Sequence, residues 1–192
     1  PIAVWDGKVW VDENGLKYPN SGNPKDILKC PRKIGIVSQG LITSGSPVTE
    51  YLLQKEYECV IVDEAHRSRR KNLGDGKEHH SPEMTNLYAF LVEISRKTHS
   101  MLLATATPIQ LYPIELWDLL NILSQKNDSV LGSQSSIWRK PARLVEGLDL
   151  IMGNSEKDFF DPENCDWIRN PFPPRYEHYN FNLLRNSLGM SD

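Results

Sequence analysis

Four apolar residues run without a break into two carboxylates at Cys59-Val60-Ile61-Val62-Asp63-Glu64. Neither a period of two nor a helical spacing of about 3.6 produces such a run, which suits a strand covered on both faces in a parallel sheet. Two further runs, KIGIVS from Lys33 and SMLLATAT from Ser100, have the same character. Helical patterns separate and follow them. SPVTEYLLQKEY predicts a short helix with Ser46 as cap and Pro47 at its first position. In SPEMTNLYAFLVEISRK, Met84, Leu87, Tyr88 and Leu91 share one helical face, with Ser81 as cap and Pro82 behind it. In PIELWDLLNIL, Leu116, Leu119, Leu120 and Leu123 repeat that spacing, and Trp117 is a packing residue. Strand and helix in strict alternation predict an α/β class, a parallel sheet flanked by helices with right-handed crossovers, over residues 33 to 125.

The flanks differ from this core. Residues 1 to 32 are rich in Gly, Pro, Asn and charge, and Asp6-Gly7 between two β-prone runs predicts a hairpin, read as an excursion from the core. Residues 126 to 192 are an insertion or linker rich in Asn, Ser and Pro, broken by a helical patch at 142 to 152 and extended at 170 to 179. The chain opens on Pro1 without an initiator Met, which predicts a piece of a longer protein. Its formal net charge is −3, so any polyanion must be met by a local patch. Three scattered cysteines suggest neither a disulfide framework nor a zinc site and fit a reducing compartment. No run reaches the roughly 18 apolar residues of a membrane span, so no membrane partner is expected.

In open α/β sheets, function gathers at the carboxyl ends of strands, where Asp63 and Glu64 stand. One carboxylate there can hold Mg2+ with its waters while the second deprotonates a water attacking a phosphate. The bland alternative is a solvated strand end.

Asp63-Glu64-Ala65-His66, then Thr105-Ala106-Thr107-Pro108-Ile109-Gln110, then Glu115 to Leu123 resemble, in order and spacing, motif II, motif III and the helix that follows in Swi/Snf-type (sucrose-non-fermenting) helicase-like ATPases of superfamily two. The resemblance covers residues 33 to 123 and implies the RecA-like version of the α/β class, the first of two such domains. It implies that Asp63 holds Mg2+ through water, that Glu64 is the general base, and that His66 with Thr105, Ala106, Thr107 and Gln110 couples nucleotide state to DNA grip. Ser38 and Gln39 fall where the family touches a DNA strand. ATP and Mg2+ are the implied cofactors; double-stranded DNA, the second RecA-like domain and a further protein are the implied partners. The Thr-Ala-Thr-Pro form, in place of the Gly-Thr-Pro of eukaryotic remodellers, implies a bacterial or archaeal cytoplasm, or a nucleus if the source is eukaryotic.

The chain departs from the pattern in lacking the second RecA-like domain with its arginine finger, and in its phosphate loop. The family needs a G-x-x-x-x-G-K-[ST] phosphate loop, and Gly74-Asp75-Gly76-Lys77-Glu78 has neither the spacing nor the hydroxyl. This segment by itself is therefore expected to be inactive. The second class of function is a RecA-like module that binds protein or nucleic acid without hydrolysis; the intact acid pair disfavours it.

The basic stretch Arg67, Arg69, Arg70 and Lys71 reads either as a DNA-backbone track or as a solvated crossover loop. His79 and His80 project differently along the chain, and no acid or Cys cluster completes a metal site with them. Trp5, Trp10, Trp138 and Trp167 could stack on bases, but such residues more often pin irregular segments to a core.

Overall fold

The computed structural model describes residues 1–18, 21–74, 76–77, 80–132, 134 and 136–154. They fall into two compact units, Pro1–Lys71 with Glu83–Pro108, and Asn72–Pro82 with the chain from Ile109 onward. Both are mixtures of short helices and loops, and the parallel strand pairs of an α/β protein lie in the first.

The first unit begins with strand β1 (Ile2–Trp5), antiparallel to β2 (Trp10–Asp12). The turn between them spans four residues, not two. Asp6 closes it by accepting from the amides of Lys8 and Val9, and Gly7 supplies the positive φ of 106°. This hairpin is no excursion: β1 pairs in parallel with β3 (Ile34–Ile36), giving the order β2-β1-β3. Ala3, Trp5 and Trp10 are buried. The two indoles meet edge to face at 5.5 Å, and Trp10 Nε1 donates to Ile27 O. A boundary at residue 32 would cut the β1–β3 ladder, so the strand run at 33 to 38 belongs with the residues before it.

Helices α1 (Gln39–Thr43) and α2 (Val48–Leu52) follow, then β4 (Tyr57–Val62), α3 (Asn86–Ser95) and β5 (Thr98–Leu103). β4 and β5 pair in parallel, with α3 in the connection between them. The cap of α3 is Thr85, not Ser81: its hydroxyl accepts from Tyr88 N, and its carbonyl from Ala89 N. Met84 consequently lies outside the helix, where its backbone bridges Arg70. Of the predicted face Leu87, Tyr88 and Leu91 are buried, with Ile94 extending the stripe, whereas Met84 is exposed.

The expectation of strands covered on both faces fails. Ile61 is 68% exposed and Leu102, its partner in register, 55%. Among the described residues β4 and β5 pair only with each other, and α3 packs on β5. Likewise Ile2 and Val4 lie opposite Ile34 and Ile36, all exposed.

In the second unit α4 (Ile114–Leu123), α5 (Asp128–Leu131) and α6 (Leu144–Met152) surround a small core of Ile114, Trp117, Leu131, Trp138 and Leu144. The buried face of α4 runs through Ile114, Trp117, Asp118 and Ile122, leaving the expected core residue Leu116 exposed. Trp117 and Trp138 are packing residues, with Trp117 Nε1 donating to Trp138 O at 2.8 Å. Arg139 closes the C-terminal end of α4, donating to Ser124 O, Asn127 O and Gly132 O. Trp167, His79 and the 170 to 179 segment lie outside the described residues. Among the described residues no helix is long and apolar enough to cross a membrane.

Asp26 supplies a pH signature for the first unit. Its carboxylate accepts from Lys29 Nζ at 2.7 Å and from the Ser21 amide and hydroxyl. The Lys29 bond first, then the Ser21 amide, hold its pKa down from 3.8 to about 2. A depressed carboxyl stabilises the fold above its unfolded value and ceases to do so as pH falls through its folded value. Asp26→Asn is thus expected to lower stability at pH 7, with the deficit shrinking between pH 3.8 and about 2. Urea midpoints of both proteins across that range check it; a deficit that does not change with pH would remove Asp26 as the source.

Candidate functional site

The first unit gathers three chain segments at strand ends. The ladder between β4 and β5 continues past the strands, because Ala104 N donates to Val62 O and Ala65 N donates to Ala104 O. These bonds hold the acid box beside the Thr-Ala-Thr segment. Beyond β4 the chain turns sharply at Glu64, which takes the left-handed conformation at φ 49° and ψ 45°. A non-glycine residue there costs about 1 kcal/mol or more, so the surroundings must hold it. The short 3-10 turn Ala65–Arg67 follows, tied by Arg67 N to Glu64 O and Ser68 N to Ala65 O.

The acids themselves are exposed. Asp63 Oδ1 accepts from Glu64 N at 2.9 Å. Glu64 Oε2 lies 3.3 Å from His66 Nδ1, and Thr105 Oγ1 lies 3.1 Å from the same nitrogen. Thr105 Oγ1 also accepts from Thr107 N. A ring with its proton on Nδ1 donates to Thr105 Oγ1, a ring with a bare Nδ1 accepts from that hydroxyl, and a protonated ring adds an ion pair with the Glu64 carboxylate. His66 joins the two motifs through side chains.

Gln39 joins the third segment. Ser38 caps α1, its hydroxyl accepting from Gly40 N at 3.2 Å. At the first position of that helix, Gln39 donates from Nε2 to Asp63 O. The structure thus brings together Ser38, Gln39, Asp63, Glu64, His66, Thr105 and Thr107, while Ala106 is exposed between the two threonines.

Comparison with known proteins adds nothing to this geometry. No family model, no curated protein and no solved structure matches the chain.

The basic stretch does not behave as one surface. Arg67 and Lys71 are exposed and Arg69 is half-buried, but Arg70 is only 2% exposed. The cause is a backbone pairing that the sequence does not announce: residues 69 to 71 run against 83 to 85, through Thr85 Oγ1 to Arg69 O, the Arg70–Met84 bridge and Lys71 N to Glu83 O. Alternation along that paired segment turns Arg70 inward, which withdraws it from the expected phosphate contacts.

Gln110 lies in the second unit, where a residue missed from the sequence governs it. One carboxylate oxygen of buried Glu115 accepts from the amides of Gln110, Leu111 and Tyr112 at 2.7, 2.8 and 3.2 Å. An acid in the first turn of a helix begun by Pro113 is the available signal, since such a side chain can reach back to preceding amides. Among the described residues no group of three or more His, Cys, Asp or Glu could hold a metal.

Proposed function

We propose that this chain supplies the acid box and the coupling motif of an ATP-driven motor on double-stranded DNA, in the RecA-like form of its α/β fold. The observation that carries the reading is His66 Nδ1 hydrogen-bonded to Thr105 at 3.1 Å and standing 3.3 Å from the Glu64 carboxylate, so that one imidazole lies between the base and the motif next to it. A plain solvated strand end has no need of that arrangement, nor of a glutamate in the left-handed region.

The residues fit magnesium nucleotide as substrate. Mg2+ keeps several waters and takes one or two protein carboxylates beside phosphate oxygens. Asp63 suits this, exposed and with Oδ2 accepting from none of the described residues. In this reading Glu64 takes a proton from water, and His66, beside Glu64 and hydrogen-bonded to Thr105, registers a shift of Thr105 and Thr107. Phosphate cradling requires a glycine-rich loop outside these residues, so turnover belongs to the protein that joins this segment to such a loop. In that protein, ATP hydrolysis is measured with and without duplex DNA. Mg2+-dependent turnover stimulated by DNA supports the motor; nucleotide binding without turnover at any DNA concentration means a binding module.

Contacts to DNA rest on Arg67, Arg69 and Lys71. Replacing these three with Ser is expected to weaken binding equally for all sequences and to make the slope of log affinity against log salt shallower by roughly 1 to 3 units, about 0.9 for each phosphate no longer neutralised. Basal hydrolysis without DNA stays. An unchanged salt slope returns the stretch to a solvated loop.

A further inference from the structure

We infer that Gln39 is a positioning residue for the acid box, acting through the Asp63 carbonyl to hold the left-handed turn at Glu64. The inference rests on the ATPase reading for its functional consequence but on hydrogen bonding for its substance. Around the turn each neighbouring carbonyl has a main-chain donor: Val62 O receives Ala104 N, Glu64 O receives Arg67 N and Ala65 O receives Ser68 N. Asp63 O is the exception. Among the described residues its donor is the Gln39 side chain.

Gln39 is equipped to hold this carbonyl in place. It stands on α1, whose start is capped by Ser38 and whose last residue, Thr43, accepts from Asn86 Nδ2 on α3 at 3.0 Å. Its other carboxamide atom, Oε1, is buried and accepts no hydrogen bond from the described residues. A buried acceptor without a donor is unfavourable, because it has given up its bond to water. The side chain therefore keeps this pose at a cost that a turn outward to water would relieve, and the bond to Asp63 O is what the pose secures. Donation is the useful property here, because the Asp63 peptide leads directly into the strained residue that carries the base.

The test uses Gln39→Leu, which removes the donor, and Gln39→Glu, which keeps the shape but presents an acceptor to the carbonyl. Hydrogen exchange is followed by NMR at the Ala65 amide, which bonds Ala104 O, with the amides of α3 as internal control. The expected result in both variants is exchange at Ala65 faster by roughly tenfold or more, from easier local opening, with the α3 amides within about twofold of the parent chain. Unchanged Ala65 exchange, or equal acceleration at every amide, overturns the positioning role. In the ATP-hydrolysing protein, Gln39→Glu is expected to lower kcat at least tenfold with KM for ATP within about twofold. Equal changes in both constants would overturn it. If the parent protein shows no turnover, the ATPase reading fails, and Ala65 exchange decides the role of Gln39 independently.

Discussion

Glu64→Gln is expected to reduce ATP turnover by about 10²- to 10⁴-fold while leaving nucleotide affinity within a small factor, the range by which a positioned general base accelerates proton transfer. The amide keeps the shape of the carboxylate beside His66 Nδ1, which lies 3.3 Å from Glu64 Oε2. What it cannot do is take a proton from water. The backbone at φ 49° burdens Glu and Gln alike, so the comparison isolates chemistry from folding. Single-turnover hydrolysis beside equilibrium binding of labelled nucleotide checks the result. Equal losses in both would make Glu64 structural, its exposed side chain notwithstanding.

Trp10→Ala is expected to destabilise the first unit by about 3–5 kcal/mol, the cost of deleting a buried aromatic side chain that its surroundings cannot replace. The indole packs edge to face on Trp5 and donates to Ile27 O, which joins the hairpin to the turn at Pro24–Leu28. It also lies over Gly35, where an added Cβ would approach the ring to 2.9 Å, so β3 has been fitted to the ring's outline. Trp10→Phe should restore part of the loss but not the Ile27 bond. Urea unfolding followed at Trp5 measures both; a loss below about 1 kcal/mol for Trp10→Ala would place the indole outside the core.

The βαβ passage from β4 through α3 to β5 was legible because unbroken apolar runs and an amphipathic stripe are local signals. Asp63 and Glu64 were legible as a strand end for the same reason. The hairpin strands were found, but their place in the core was not, because pairing of β1 with β3 joins residues some thirty positions apart and leaves no periodicity in either. Burial of Arg70 was hidden likewise, since it follows from a backbone pairing across residues 69 to 85. Capping at Thr85 was a competition between two hydroxyl residues four apart, decided by which one's oxygen reaches an amide. The Gln39 bond to Asp63 O could not be read at all: a glutamine's partner is set by tertiary approach, and here it crosses 24 positions.

A Mg2+ titration of ATP affinity for Asp63→Asn, set beside Glu64→Gln in the same assay, tests most directly whether the two acids do different work. The asparagine keeps an oxygen for the Glu64 amide that Asp63 Oδ1 accepts at 2.9 Å, so the turn survives, but it lacks the charge that attracts a hydrated divalent cation. The predicted result is that Asp63→Asn loses the Mg2+-dependent part of nucleotide affinity, whereas Glu64→Gln retains it and loses turnover. Identical Mg2+ dependence in the two variants and the parent protein would contradict the assignment of metal to Asp63 and proton to Glu64.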